Sequence, residues 1–200
     1  AALMRPEDVP HAPIEQSRYF HVSGISMALS PSACEAVFAA MQVARDAGTR
    51  VCLDANVRLR LWPLARARKM LTQAVQRCDF FMPSEEDMQT LTDLKDPADM
   101  IRWAHDQGAR VVVLKRGSQG CWVSDAAQTH TLRAHQVPFK DATGAGDCFS
   151  GNLLARLAAG DDVFTAARYA NAAAALAVQG WGAVAPLPRP QAVRALLTQG

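Results

Sequence analysis

The sequence has 200 residues, 50% of them hydrophobic and 20% charged, an ordinary globular composition that excludes a disordered or fibrous chain. Its 21 basic and 19 acidic side chains leave a net charge of +2 with no basic block, so no nucleic-acid partner and no anionic membrane surface is expected. The longest apolar stretches, such as 172–178, fall far short of the ~20 residues a membrane span needs. Cysteines stand at 34, 52, 78, 121 and 148, odd in number and without a Cys-x-x-Cys pair. That usage predicts reduced thiols in a cytoplasm and neither a disulfide frame nor a zinc site. Residues 1–18 hold Arg5, Glu7 and Asp8 among prolines in place of the apolar core of a signal peptide. The chain opens on Ala1, and 1–16 has so little periodicity that it reads as the tail of something longer.

The elements follow in order. A short apolar run at 18–24, closed by Gly24, predicts a buried strand. Ser30-Pro31 supplies a cap and a first turn for a helix over 33–47, which Gly48 stops. Strands are predicted at 49–54 and 78–82, with a helix over 63–76 between them. A short helix at 84–91 opens on an acidic turn, and Asp96-Pro97 starts another that runs to about 107. The Arg-Val-Val-Val-Leu run at 110–114 predicts a strand buried on both faces. Two short antiparallel strands follow at 120–124 and 129–134, then helices at 145–158, 163–179 and 190–197. The alternation through Gly117 predicts an α/β fold: a doubly wound, mostly parallel sheet with helices on both faces and right-handed crossovers, read as one domain over 1–200.

The chemistry concentrates in Asp141-Ala142-Thr143-Gly144-Ala145-Gly146-Asp147. Two glycines around one small residue, leading into a helix, expose backbone N–H groups at a positive helix end, where phosphate binds. A carboxylate beside such a hole repels the anion. Asp147 fits there if it takes a proton from a hydroxyl attacking a phosphoryl group while the turn stabilises the developing charge. The same residues also suit a plain glycine-rich helix start with an aspartate favoured by the helix dipole.

Residues 141–151, continuing Cys148-Phe149-Ser150-Gly151, resemble the C-terminal signature of ribokinase-like (PfkB-type) carbohydrate kinases. The resemblance implies that Asp147 is the catalytic base, that Gly144, Ala145 and Gly146 form the anion hole, and that Thr143 is a nucleotide-binding residue. Lys115-Arg116-Gly117-Ser118-Gln119-Gly120 resembles the family's ATP-lining turn, with Lys115, Gly117, Ser118 and Gly120 in register; on physics alone it equally serves as a tight hairpin connection. Asn171 matches a position near the nucleotide base, and reads equally as an exposed polar residue on an alanine-rich helix.

Asp54-Ala55-Asn56-Val57-Arg58-Leu59-Arg60-Leu61-Trp62 follows a strand at the carboxyl end, where open α/β sheets bind ligands. An arginine fork there suits a carboxylate or a phosphate, although a surface arginine pair is the plainer reading. The segment resembles the Asp-x-Asn-x-Arg-x-x-Leu-Trp loop of 2-keto-3-deoxygluconate kinases. That implies a sugar-acid carboxylate on Arg58 and ATP beside Asn56. Ser23-Gly24-Ile25 matches the same branch. Ser84-Glu85-Glu86-Asp87 stands where most of the superfamily has Asn-x-x-Glu acting on magnesium and phosphate. Glu86 and Asp87 are therefore candidates to meet Mg²⁺ through water, and equally an ordinary acidic helix start. The shorter aspartate is a departure from the pattern.

The resemblance runs from about residue 2 to residue 182 but matches only the C-terminal two-thirds of such a kinase. The first strands, a glycine-rich sugar motif and a lid find no match. The expected chain is thus the nucleotide-binding and catalytic portion of an ATP- and Mg²⁺-dependent kinase for 2-keto-3-deoxygluconate. Fructose, ribose or a deoxy-keto-inositol product are rival substrates, and a nucleotide-binding module without turnover is the rival class. A small sugar or sugar acid is the expected partner, and a homo-oligomer stays open. A dinucleotide oxidoreductase is set aside because no Gly-x-Gly-x-x-Gly follows the first strand.

Overall fold

The computed structural model describes residues 1–198, and these divide into two compact units. The first comprises Ala1–Leu114 with Ser124–Gln128, the second Lys115–Val123 with the chain from Thr129 onward.

In the first unit, a 3₁₀ turn at Pro6–Asp8 and a short helix α1 (His11–Glu15) precede strand β1 (Tyr19–Ser23). The strand ends one residue earlier than the apolar run suggests, because Ser23 caps α2 (Gly24–Ala28), its Oγ accepting the Ile25 N–H at 3.4 Å. The Ser30 hydroxyl caps α3 (Pro31–Asp46) as read from the sequence, accepting the Ala33 N–H at 3.0 Å. Then come β2 (Arg50–Asp54), α4 (Leu64–Val75), β3 (Phe80–Phe81), α5 (Glu85–Thr92), α6 (Pro97–Asp106) and β4 (Val111–Lys115). β1 pairs with β2, β2 with β3 and β3 with β4, all parallel, with Ser23 opposite Asp54 and Leu53 opposite Phe81. The third strand is shorter than predicted: Cys78 lies in the turn that follows α4, its N–H donating to the Val75 carbonyl at 3.2 Å.

Val51, Cys52 and Leu53 are buried without a break, as expected of a strand covered on both faces. Phe81, Leu71, Met41, Met88 and Met100 complete this core, each fully buried side chain contributing about 1.5–3 kcal/mol of hydrophobic stabilisation. In-register parallel pairing brings the loops that follow β1, β2 and β3 to one edge of the sheet. Gly24 shows how close they come, since a Cβ there would strike the Ala55 carbonyl oxygen.

In the second unit, β5 (Cys121–Ser124) and β6 (Thr129–Leu132) are neighbours, and α7 (Ala145–Ala159), α8 (Val163–Ala177) and α9 (Pro190–Thr198) follow. The buried face of α8 is almost all alanine, which lets a neighbouring helix approach closely. Cys148, Ala172, Ala173, Ala177 and Val193 form one cluster, with Tyr169, Leu176, Leu196 and Leu197 packed against it. Cys148 is therefore a core filler, and burial pushes its thiol up from the ordinary value.

Candidate functional site

The turn ahead of α7 is organised by its first residue. Asp141 Oδ1 accepts the Thr143 N–H and hydroxyl at 2.9 and 2.7 Å, and Oδ2 accepts the Gly182 N–H at 2.8 Å. These bonds, the one from Gly182 foremost, hold the Asp141 carboxyl below the usual carboxylate range. Gly144 caps the helix in the left-handed region at φ 75°, and a Cβ there would lie 2.7 Å from the Ala183 Cβ. With glycine at the cap, no side-chain oxygen covers the first N–H groups of α7. The Ala145 N–H, expected in the anion hole, donates instead to the Ala142 carbonyl at 3.1 Å. Among the described residues the N–H groups of Gly144, Gly146 and Asp147 meet no acceptor, so these are the donors left for an anion. Asp147 stands exposed on the first turn.

Beside this turn lies a cavity of about 280 Å³. Lys115, Gly117, Ser118 and Gly120 line one part of it, and Ala145 and Gly146 another. The Lys115 Nζ sits 3.6 Å from where a Gly146 Cβ would be, which places an ammonium over the start of α7. Gly120, at φ 90° and ψ −130°, has no room for a side chain, since a Cβ would meet the Leu132 carbonyl and lie 2.6 Å from the Ala134 nitrogen. The remaining wall is mostly apolar, with Phe139, Phe149, Ala174 and Val178 in it, and is interrupted by His135 and Gln136. Asn171 completes it. The sequence allowed an exposed amide here, but Asn171 is only 8% exposed and its Nδ2 donates to the Arg133 carbonyl at 2.7 Å. Thr143, Gly144 and Asp147 flank the cavity in sequence without lining it.

The other candidate residues belong to the first unit. Asn56 has φ 39°, rare for a residue with a side chain. Arg58 is exposed, and its Nη1 donates to the Val57 carbonyl at 2.8 Å. Trp62 anchors the end of the loop at 3% exposure, with its Nε1 buried and without a partner. Glu86 is exposed on the first turn of α5. Asp87 is buried, with both carboxylate oxygens accepting backbone N–H groups. Among the described residues no group of three or more His, Cys, Asp or Glu side chains could hold a metal ion.

The model of the pfkB family of carbohydrate kinases matches residues 1–190. The chain belongs to this family. It is 34% identical over 194 residues to the 2-dehydro-3-deoxygluconokinase of Thermoproteus tenax, covering 96% of this chain and 58% of that protein. It is 31% identical over 185 residues to fructokinase-2 of Zea mays, covering 88% of this chain and 55% of that one. Among solved structures, a candidate ribokinase II from E. coli in complex with ATP and Mg²⁺ matches with a TM-score of 0.90 at 28% identity, over 98% of this chain and 64% of that chain. This PfkB chain therefore spans just over half the length of the curated relatives it matches. The mostly parallel α/β fold read from the sequence is the ribokinase-like fold.

Two features of this PfkB chain escaped the sequence reading. The glycine spacing of the motif gives Asp141 no role, although Asp-x-Thr is a recognisable side-chain turn signal. The apolar wall at Val137 and Phe139 lies in a stretch without periodicity, so nothing in the pattern marked it.

Proposed function

We propose that this chain is the nucleotide-binding and catalytic portion of a kinase that transfers the γ-phosphoryl group of ATP to a hydroxyl of 2-keto-3-deoxygluconate. The observation that carries this reading is the second unit's cavity, where an apolar wall adjoins Lys115 and the open N–H groups of α7. An apolar wall suits a nucleobase, and a positive helix end suits its phosphates. Lys115, Gly117, Ser118 and Gly120 would hold the phosphates and ribose, with Thr143 bracing the turn and Asn171 near the base. Asp147 would take the proton from the attacking hydroxyl, and the Gly144 and Gly146 N–H groups would stabilise the charge that develops. Mg²⁺, when bound, would neutralise phosphate charge; in the first unit Glu86 is the exposed carboxylate of the candidate pair. In the same unit, Arg58 would offer a paired-donor fork to a sugar-acid carboxylate.

Sugar-acid use is favoured by the Arg58 loop and by the likeness to the T. tenax protein, while the maize relative points to fructose. The test is ADP release by the purified chain with Mg·ATP on 2-keto-3-deoxygluconate, fructose and ribose. Release with the sugar acid alone is the expected result. Comparable release with fructose or ribose would overturn the carboxylate assignment. A nucleotide-binding module without turnover is the second reading. Binding of Mg·ATP with no release on any sugar would establish it.

A further inference from the structure

We infer that Asp87 is a positioning residue for the Arg58 loop and not a metal ligand. Asp87 is 7% exposed, and its carboxylate is used twice. Oδ2 accepts the Ser84 N–H at 3.1 Å, while the Asp87 N–H donates to the Ser84 hydroxyl at 3.0 Å, which closes a reciprocal cap on α5. Oδ1 reaches across thirty positions of sequence to accept the Val57 N–H at 2.8 Å. A hard cation would have to displace two charge-assisted bonds at a site closed to water, and no cluster of further ligands stands beside it among the described residues.

The Val57 peptide is the pivot of the loop. Its N–H is gripped by Asp87, and its carbonyl receives the Arg58 Nη1 at 2.8 Å. The Arg58 carbonyl in turn accepts the Leu61 N–H at 2.8 Å. Asn56, immediately before, is held at φ 39°, a strained conformation that persists only where its surroundings over-determine it. The Asp87 bond to the next residue supplies that constraint. An aspartate at this position is therefore the residue that both closes the cap and sets the direction of Arg58. A glutamate, one methylene longer, would not make both bonds with the same geometry.

The kinetic arm of the test rests on the proposed sugar-acid kinase, and the exchange arm does not. Asp87→Ala and Asp87→Asn are compared with Ser84→Ala, which loses the cap's hydroxyl and leaves the Asp87–Val57 bond in place. Hydrogen exchange should show protection of the Val57 amide lost in Asp87→Ala, reduced in Asp87→Asn, which keeps a single carbonyl acceptor for two N–H groups, and kept in Ser84→Ala. The KM for 2-keto-3-deoxygluconate should rise about tenfold in the Asp87 variants, with the Mg²⁺ concentration for half-maximal activity unchanged. A shifted Mg²⁺ midpoint, unchanged Val57 exchange, or an equal KM rise in Ser84→Ala would each overturn the inference. If the wild-type chain turns over no sugar, the exchange comparison alone decides whether Asp87 holds the loop.

Discussion

Gly120→Ala is a substitution whose effect on the second unit follows directly from the backbone around it. At φ 90° and ψ −130° the backbone lies in a region open to glycine and costing other residues about 1–3 kcal/mol. The added methyl would also strike the Leu132 carbonyl and lie 2.6 Å from the Ala134 nitrogen and 2.8 Å from the Arg133 carbonyl carbon. All three are backbone atoms, so no flexible side chain can give way. Separating them leaves backbone polar groups without partners, about another 1–3 kcal/mol. The sum is about 2–6 kcal/mol, a large part of the ~5–15 kcal/mol that holds a typical domain. Gly117 is the control. It too has a positive φ, 54°, but a Cβ there meets nothing within 4 Å, so Gly117→Ala should cost about 1–2 kcal/mol from strain alone. Urea unfolding followed by circular dichroism, with equal slopes for all three proteins, measures both. If Gly120→Ala falls within about 1 kcal/mol of Gly117→Ala, the close approach is not what fixes glycine at position 120.

Asp147→Asn should lower turnover by about 10²-fold or more while Mg·ATP binding, measured by calorimetry, stays within a factor of a few. A variant within twofold of wild type would remove Asp147 as the base. Arg58→Ala should raise the KM for the sugar acid well beyond its effect on fructose, and equal losses on both would argue against a carboxylate contact. The depressed Asp141 pKa sets a pH signature: its contribution is complete above the ordinary aspartate value, about 4, and is lost as pH falls through the lower folded-state value. Protection of the Gly182 amide against exchange should therefore persist at pH 4 and decay below it, whereas Asp141→Asn should show reduced protection at every pH. Burial pushes the Cys121 thiol up to about 12 and raises Cys34, Cys52, Cys78 and Cys148 as well. All five should resist a thiol reagent at pH 8 in the native protein and react together in denaturant; rapid native reaction at Cys148 would contradict its place in the α7–α8 core.

Local order was legible in the sequence because local rules produce it. Ser30-Pro31 and Gly48 bound α3 as their capping chemistry requires, and the Val-Val-Val-Leu run became a strand within the parallel ladder. The short elements were not legible. α1 and α2 have five residues each, too few to display a helical period, and β3 is short, with Cys78 in the turn that follows α4. In the anion turn, spacing located Gly144 and Gly146 but did not reveal which N–H groups the fold consumes. Ala145, between the two glycines, is the donor spent on Ala142.

The remaining blind spots are contacts between residues far apart in the chain. Asp141 to Gly182, Asn171 to Arg133 and Asp87 to Val57 span 41, 38 and 30 positions. Ser84-x-x-Asp87 reads in sequence as a capping box and as a metal motif with equal ease, since both need an oxygen at each end of the same spacing. What separates them is the second carboxylate oxygen. In a metal site it faces the ion; here it meets the Val57 N–H and lies buried. A residue type and a spacing state what chemistry is possible at a position. Which backbone group arrives there from thirty residues away decides what chemistry is left, and at Asp87 that arrival turns a candidate ligand into the support of an arginine.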